Sequence, residues 1–227
     1  SMQMDEILTK HSEIMDKYDP RKSVPLMVDE WGIWTNVEPG TEPGFLYQQN
    51  SMRDALIAAI SFNIFHEHAE RVEMANIAQT VNVLQAMLLT NDDQVIKTPT
   101  YHVFNMYKGH QDATFIPSTL SSEEYKMDDK SIPSVTATAS LTKEGKVNLS
   151  ISNLNPHKSI EMDVDLTEGK VRKVNVASVL TAPAFNSIND FDSPETVKPA
   201  DFSDYTISNG KLKVNLPAHS VVSIEMQ

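Results

Sequence analysis

Val28-Asp29-Glu30-Trp31-Gly32-Ile33-Trp34 closes a short apolar run over residues 24–28 and brings a carboxylate together with two tryptophans. The run reads as a buried strand with Glu30 at its end. A strand that delivers an acid to an aromatic-lined mouth suits the breaking of a glycosidic bond. The carboxylate meets the positive charge developing on the sugar, and indole faces stack on the ring. Glu30 is the candidate carboxylate, with Trp31 and Trp34 beside it; the other reading of Glu30 is an ordinary strand-end acid, solvated or salt-bridged. Asp29 is excluded as a second carboxylate because neighbouring strand residues point to opposite faces. Retaining cleavage needs two carboxyls about 5 Å apart across the bond, so a partner must come from another strand.

Working outward, residues 36–44 hold Pro39-Gly40 and Pro43-Gly44 and read as a loop. Ser51-Met52-Arg53-Asp54 resembles a capping box, with Asp shorter than the usual Glu, and opens a helix reaching about His68. Residues 72–77 read as a strand, 80–89 as a helix, and 99–108 as another helix begun by Pro99. Upstream, residues 4–16 carry the apolar spacing of an amphipathic helix that Pro20 ends. Strand–loop–helix, strand–helix is the grammar of a (β/α) barrel or a doubly wound sheet. Two such units are present, where a complete barrel takes roughly 250 residues.

Near residue 112 the grammar changes. Residues 135–141 and 147–151 alternate around Lys143-Glu144-Gly145-Lys146, a β-hairpin. Residues 160–166, 171–179, 205–207, 212–216 and 221–226 continue the strand pattern, separated by Asn155-Pro156, Gly169, Asn209-Gly210 and Pro217. Residues 187–204 form a long acidic excursion. The expected fold is α+β: residues 1–112 as the last two βα units of a (β/α)8 barrel, and 113–227 as an antiparallel, jelly-roll-like β-sandwich. Phe115, Tyr125, Phe185, Phe191, Phe202 and Tyr205 are scattered rather than in a row and are expected to pack.

The net charge of −12 disfavours nucleic acid, which needs a basic face. No apolar run approaches a membrane span. There are no cysteines, which removes thiol and cysteine–zinc chemistry. His66-Glu67-His68 has i, i+2 spacing, so its rings diverge on a helix, unlike the i, i+4 zinc pair. No metal or organic cofactor is expected. Asn76 and Gln79 follow the second strand, where amides suit sugar hydroxyls; the other reading is helix capping by Asn76 with Gln79 exposed. Asn148-Leu149-Ser150 is a formal glycosylation sequon of no weight. Ser1-Met2 reads as an arbitrary cut, so the missing signal peptide says nothing about compartment, whether cytoplasmic, periplasmic or secreted.

Five motifs in order, Val28 to Trp34, Leu46-Tyr-Gln-Gln-Asn-Ser-Met-Arg-Asp-Ala-Leu56, Asn63-Ile-Phe-His66, Arg71-Val-Glu-Met-Ala-Asn-Ile-Ala-Gln-Thr-Val-Asn82 and Thr98-Pro-Thr-Tyr-His-Val-Phe104, resemble the α-L-arabinofuranosidases of glycoside hydrolase family 51. The resemblance implies a (β/α) barrel followed by a β-sandwich, and retaining hydrolysis of terminal α-L-arabinofuranosyl groups from arabinan- and arabinoxylan-type glycans. It implies that Glu30 is the nucleophile, at the end of the seventh barrel strand. Gln79 then hydrogen-bonds the arabinose, which reverses the reading of it as merely exposed, and Trp34 lines the pocket. The family's acid/base glutamate lies on the fourth strand within an Asn-Glu pair, and no Asn-Glu occurs here. The expectation is therefore a C-terminal portion lacking the acid/base. Its partner would be the missing barrel half, or further copies of the complete enzyme in a homo-oligomer. The alternatives are a non-catalytic carbohydrate-binding or assembly module, and an endo-glucanase of the same family.

Overall fold

In the computed structural model, residues 2–166 and 171–227 are described. Gly169, expected as a turn, lies outside them. The chain opens with α1 (Gln3–Tyr18), which ends where Asp19 N–H closes on Met15 O, just before Pro20. Leu8 is its buried residue, while Ile7, Ile14 and Tyr18 stay exposed. The buried Arg71 guanidinium pins the connection that follows. It pairs with the Asp16 and Asp19 carboxylates and donates to Val24 O at 2.8 Å.

Strands β1 (Leu26–Trp31) and β2 (Val72–Ile77) pair in parallel, and α2 (Met52–Glu67) crosses between them, as parallel neighbours require. The helix starts where the sequence places it. The Asp54 carboxylate accepts the Ser51 backbone N–H at 2.7 Å and its hydroxyl at 3.0 Å. Helix α2 is apolar on nearly every face, and such a helix must be covered all round. Leu26, Val28, Val72 and Ala75 cover one side, and Leu154, Leu180, Val197 and Val221 from the C-terminal half cover another. The opposite face of β1–β2 is open. Met27 and its register partner Met74 are 43% and 44% exposed. The run at 24–28 is thus not the buried strand expected: one face is uncovered, and the strand continues through Glu30 to Trp31.

The helix expected at 80–89 is absent. Asn82 and Leu84 have φ of 60° and 53°, which a right-handed helix cannot contain. Asn82 instead ties down Thr90, donating to its hydroxyl at 2.8 Å and accepting its N–H at 2.7 Å. The chain then forms a hairpin, β3 (Leu88–Asn91) with β4 (Gln94–Lys97), turned at Asp92 with φ 48°. Helix α3 (Pro99–Met106) follows, with the Thr98 hydroxyl accepting Tyr101 N–H at 3.4 Å, and a short 3-10 turn completes it.

The remainder is an antiparallel β-sandwich. Among the described residues, one sheet runs β12 (Ala200–Asp201), β11 (Val174–Leu180), β15 (Ser220–Met226), β9 (Val147–Asn153), β8 (Val135–Leu141), β5 (Thr114–Ile116). The facing sheet runs β10 (Ile160–Asp165), β14 (Lys211–Leu216), β13 (Tyr205–Ser208). Leu149, Ile151, Val222 and Ile224 from the first meet Leu212, Val214 and Leu216 from the second in one core. A separate hairpin, β6 (Glu124–Met127) with β7 (Lys130–Pro133), was not foreseen. Of the scattered aromatics, Phe202 is buried and pairs with Tyr205, and Phe185 packs toward α2. Asn148 is buried and donates to Gly109 O, which closes the sequon to modification in the folded chain. No helix of the described residues is long and apolar enough to cross a membrane.

A polar seam joins α2 to the first sheet. His66 Nδ1 meets the Thr138 hydroxyl at 3.1 Å, and Asn63 donates to Thr136 Oγ1 at 3.1 Å. His110 Nδ1 and Nε2 meet the Ser140 and Ser150 hydroxyls at 2.8 and 2.9 Å. Burial holds His66 down to about 4, and burial with the His66 charge holds His110 down to about 3. A histidine depressed in the fold gives stability that is complete above its unfolded pKa, near 6.5, and is lost as pH falls through the folded value. The seam should therefore weaken between pH 6.5 and 3, by about 3 kcal/mol from His66 alone. Imidazole proton shifts check this. Those of His66 and His110 should stay flat between pH 7.5 and 5, and a midpoint near 6.5 for either buried ring would contradict it.

Candidate active site

Glu30, Trp34 and Gln79 all belong to the C-terminal end of the parallel strand pair. Trp31 O accepts Ala78 N–H at 2.8 Å, so Glu30 and Gln79 leave adjacent strands at the same level. All three are exposed, Trp34 at 69%. Trp31 departs from the expectation of an aromatic mouth. Its indole is 4% exposed and packs edge-on to Phe62 and Phe65 and stacked on Phe104, at 5.5 to 6.0 Å. It belongs to the α2 core.

The register explains how one strand serves both purposes. Val28 pairs with Ala75 and Trp31 with Ile77, so β1 spends one residue more than β2. Asp29 and Glu30 together face the single residue Asn76, a β-bulge. Val28 and Trp31 can then both pack on α2, although three residues apart. The bulge breaks the strict alternation that excluded Asp29, and bulges of this kind re-aim side chains beside active sites.

The loop that carries Trp34 is held by buried amides. Gln85, fully buried, accepts Ile33 N–H at 2.9 Å through Oε1 and donates to Asp54 O at 2.7 Å and Thr100 Oγ1 at 3.2 Å. Gln48 accepts Thr35 N–H at 2.9 Å and donates to Ile33 O at 3.0 Å. Asn50 donates to Ala86 O at 2.9 Å. Gly32 has φ +146°, and a Cβ there would stand 3.3 Å from Gln85 Oε1. Within the Leu46–Leu56 motif, the residues alone mark the capping box from Ser51 onward, and those before it only through the resemblance. The signal missed was a run of amides, Gln48-Gln49-Asn50, in a loop that a solvated turn would not need. Asp54 adds a buried carboxylate at the helix entry. Burial pushes it up, against the hydrogen bonds of Ser51 and the Arg53 guanidinium at 2.9 Å.

Gln85→Leu keeps the bulk but strands the Ile33 N–H and removes one bond to Asp54 C=O. It should cost about 1–3 kcal/mol, chiefly the penalty for the Ile33 N–H left unpaired, since Asp54 C=O keeps its helix partner. Urea unfolding checks this, and an unchanged midpoint would contradict the clamp.

His66 and His68 diverge as expected: His66 faces Thr138, while His68 Nε2 meets Asp5 Oδ1 at 2.8 Å on the other side of the helix. Among the described residues, no three His, Cys, Asp or Glu side chains are grouped to hold a metal.

The architecture defines the class: an antiparallel β-sandwich joined to a βαβ unit that carries an exposed acid at its strand end. A model of the α-L-arabinofuranosidase C-terminal domain matches residues 29–220, and the chain belongs to that family. An intracellular exo-α-L-arabinofuranosidase of Bacteroides ovatus is 46% identical over all 227 residues, which cover 44% of that protein. The crystal structure of the family 51 arabinofuranosidase from Xanthomonas axonopodis pv. citri superposes with a TM-score of 0.95 at 49% identity, over 99% of this chain and 45% of that one. The thermostable family 51 enzyme of Thermotoga petrophila shares the fold, with a TM-score of 0.86 at 21% identity. The chain thus spans less than half the length of these relatives. The resemblance read from the five motifs is borne out.

Proposed function

We propose that this chain is the C-terminal part of a retaining α-L-arabinofuranosidase acting on terminal arabinofuranosyl groups of arabinan- and arabinoxylan-type glycans. Residues 1–112 supply the last two βα units of a (β/α)8 barrel and 113–227 the β-sandwich. The observation that carries this is Glu30, set by a bulge at the C-terminal end of one parallel strand with Gln79 just beyond the end of the next, in a chain of this family. Active sites of such barrels lie at the C-terminal ends of their strands. The open β1–β2 face, with Met27 and Met74 uncovered, fits the inward face of a barrel that strands from residues upstream would close.

Glu30 attacks the anomeric carbon while an upstream acid protonates the leaving oxygen, so the glycosidic bond breaks as the glycosyl–carboxylate bond forms. The same upstream residue, now a base, takes a proton from water, which displaces Glu30 and releases arabinose. Trp34 lines the sugar pocket and Gln79 bonds the sugar hydroxyls. An exposed acid and an exposed amide at the ends of neighbouring parallel strands, in a chain of this family, favour catalysis over a purely binding module.

The test is the complete protein on para-nitrophenyl glycosides. Release from the α-L-arabinofuranoside with none from a β-glucan supports the reading, and the reverse supports the endo-glucanase. Gln79→Ala should lower kcat as well as raise KM, by about tenfold to a hundredfold in kcat/KM, if its bonds tighten as the ring flattens. A change in KM alone would make Gln79 a uniform binder.

A further inference from the structure

We infer that an aromatic pocket beside the proposed site, completed by Phe191 from the β-sandwich, binds a neutral sugar ring of the glycan on the leaving-group side. This rests on the function proposed above and adds a subsite to it.

The excursion between β11 and β12 does not stay on the sandwich. Phe185 O and Ser187 O accept the N–H groups of Arg53 and Met52, at 3.0 and 2.9 Å, and Ile188 bridges Ser51. It therefore caps the N-terminus of α2, which is the end of the βαβ unit where β1 delivers Glu30. Asn189, buried, rivets the excursion to β4, donating to Lys97 O at 2.9 Å and accepting Val197 N–H at 2.7 Å. The Asp190 carboxylate accepts the N–H groups of Asp192 and Ser193 at 3.1 and 2.6 Å, a turn that holds Phe191 out from the sandwich. The excursion expected from the sequence to be an acidic loop is thus a fixed arm.

Phe191 and Tyr47 each pack against the small core of Ala86, Leu89 and Ile96. With Phe45 they line an open cavity of about 440 Å³, room enough for a sugar ring. Phe45 is 71% exposed at the edge of this cavity, so its ring is open to a ligand seated there. The pocket is continuous with the Trp34 loop. Tyr47 O accepts Glu38 N–H at 2.9 Å, Leu46 O accepts Leu84 N–H at 3.0 Å, and neighbouring Gln48 holds Ile33 and Thr35.

The chemistry selects the ligand. Flat aromatic faces suit the C–H faces of a sugar ring, and Tyr47 and Thr90 add hydroxyls to the lining that can hydrogen-bond ring hydroxyls. Glu38 and Asp190 place negative charge beside Tyr47, whose phenol burial and these charges push up. That disfavours a uronic acid and leaves a neutral sugar. An enzyme that removes a terminal group keeps every further sugar on the leaving side, so the ring bound here belongs to the chain left behind.

The experiment uses the complete enzyme, with para-nitrophenyl α-L-arabinofuranoside and an arabinofuranosyl-substituted xylo-oligosaccharide as probes. Phe45→Ala and Phe191→Leu should each lower kcat/KM on the oligosaccharide about tenfold, mainly through KM, and change the aryl glycoside by less than about twofold. Phe45 is exposed enough for its variant to keep the wild-type unfolding midpoint, which separates lost binding from lost folding. Parallel losses on both probes, or no loss on the oligosaccharide from either variant, would overturn the subsite. A wild-type enzyme inert on the aryl arabinofuranoside would overturn the functional reading itself and the subsite with it.

Discussion

Glu30→Gln in the complete enzyme should lower kcat on an aryl arabinofuranoside by roughly 10⁴-fold or more, while KM moves little. The amide keeps the outline of the carboxylate but cannot form a stable glycosyl ester, so the route through the covalent intermediate closes. The sugar contacts proposed for Trp34 and Gln79 should persist, which is why binding should survive. Asp29 sets a control that the bulge makes necessary. Both acids face Asn76 across the ladder, and both are exposed. Asp29→Asn should leave turnover within about tenfold of wild type, the range of a neighbouring charge rather than a reacting group. Steady-state kinetics on the two variants decide between them. An unimpaired Glu30→Gln, or the two losses reversed, would move the nucleophile to Asp29.

The 227-residue chain alone should show no turnover above background. The carboxyl that protonates the leaving oxygen must sit about 5 Å from Glu30, and the proposed source is upstream. Its two halves should also differ in stability. The sandwich closes a core between its own sheets, whereas β1–β2 exposes Met27 and Met74 and α1 exposes Ile7, Ile14 and Tyr18. Hydrogen exchange should thus be fast in α1 and β1 and slow in β9 and β15, with α2 between, since Leu154 and Val221 cover one of its sides. Restoring the upstream residues should slow exchange in α1 and β1. Equal protection throughout the isolated chain as a monomer would contradict the unfinished sheet.

Much of this was legible in the sequence because local chemistry and global fold agree. Ser51 and Asp54 announced the start of α2 to the residue, and the alternation of 135–141 and 147–151 gave β8–β9 with its turn. The sandwich followed from strands whose patterns face one core. Where the reading failed, tertiary structure outweighed local pattern. Residues 80–89 have helical spacing, but Asn82 in a left-handed conformation and the inward pull on Gln85 turn them into a hairpin approach. Trp31 and Trp34 look equivalent in sequence, yet the extra residue in β1 sends one into the core and leaves the other in solvent. A bulge is a property of the ladder between two strands, and neither strand shows it alone. The amide clamp of Gln48, Asn50 and Gln85 was hidden for a related reason. A buried glutamine is defined by its partners, and those lie 13 to 52 residues away. The arm carrying Phe191 reads as an acidic loop until its contacts with α2 and β4 are known.

The most direct test of the central claim is to trap the intermediate. The complete enzyme is treated with an activated arabinofuranoside whose glycosyl-enzyme breaks down slowly, then digested and mapped by mass spectrometry. The label should sit on the peptide containing Glu30 and be absent from the Glu30→Gln protein. A label on a peptide lacking Glu30, or an adduct that still accumulates in Glu30→Gln, would contradict the assignment and leave the bulged strand end a structural feature.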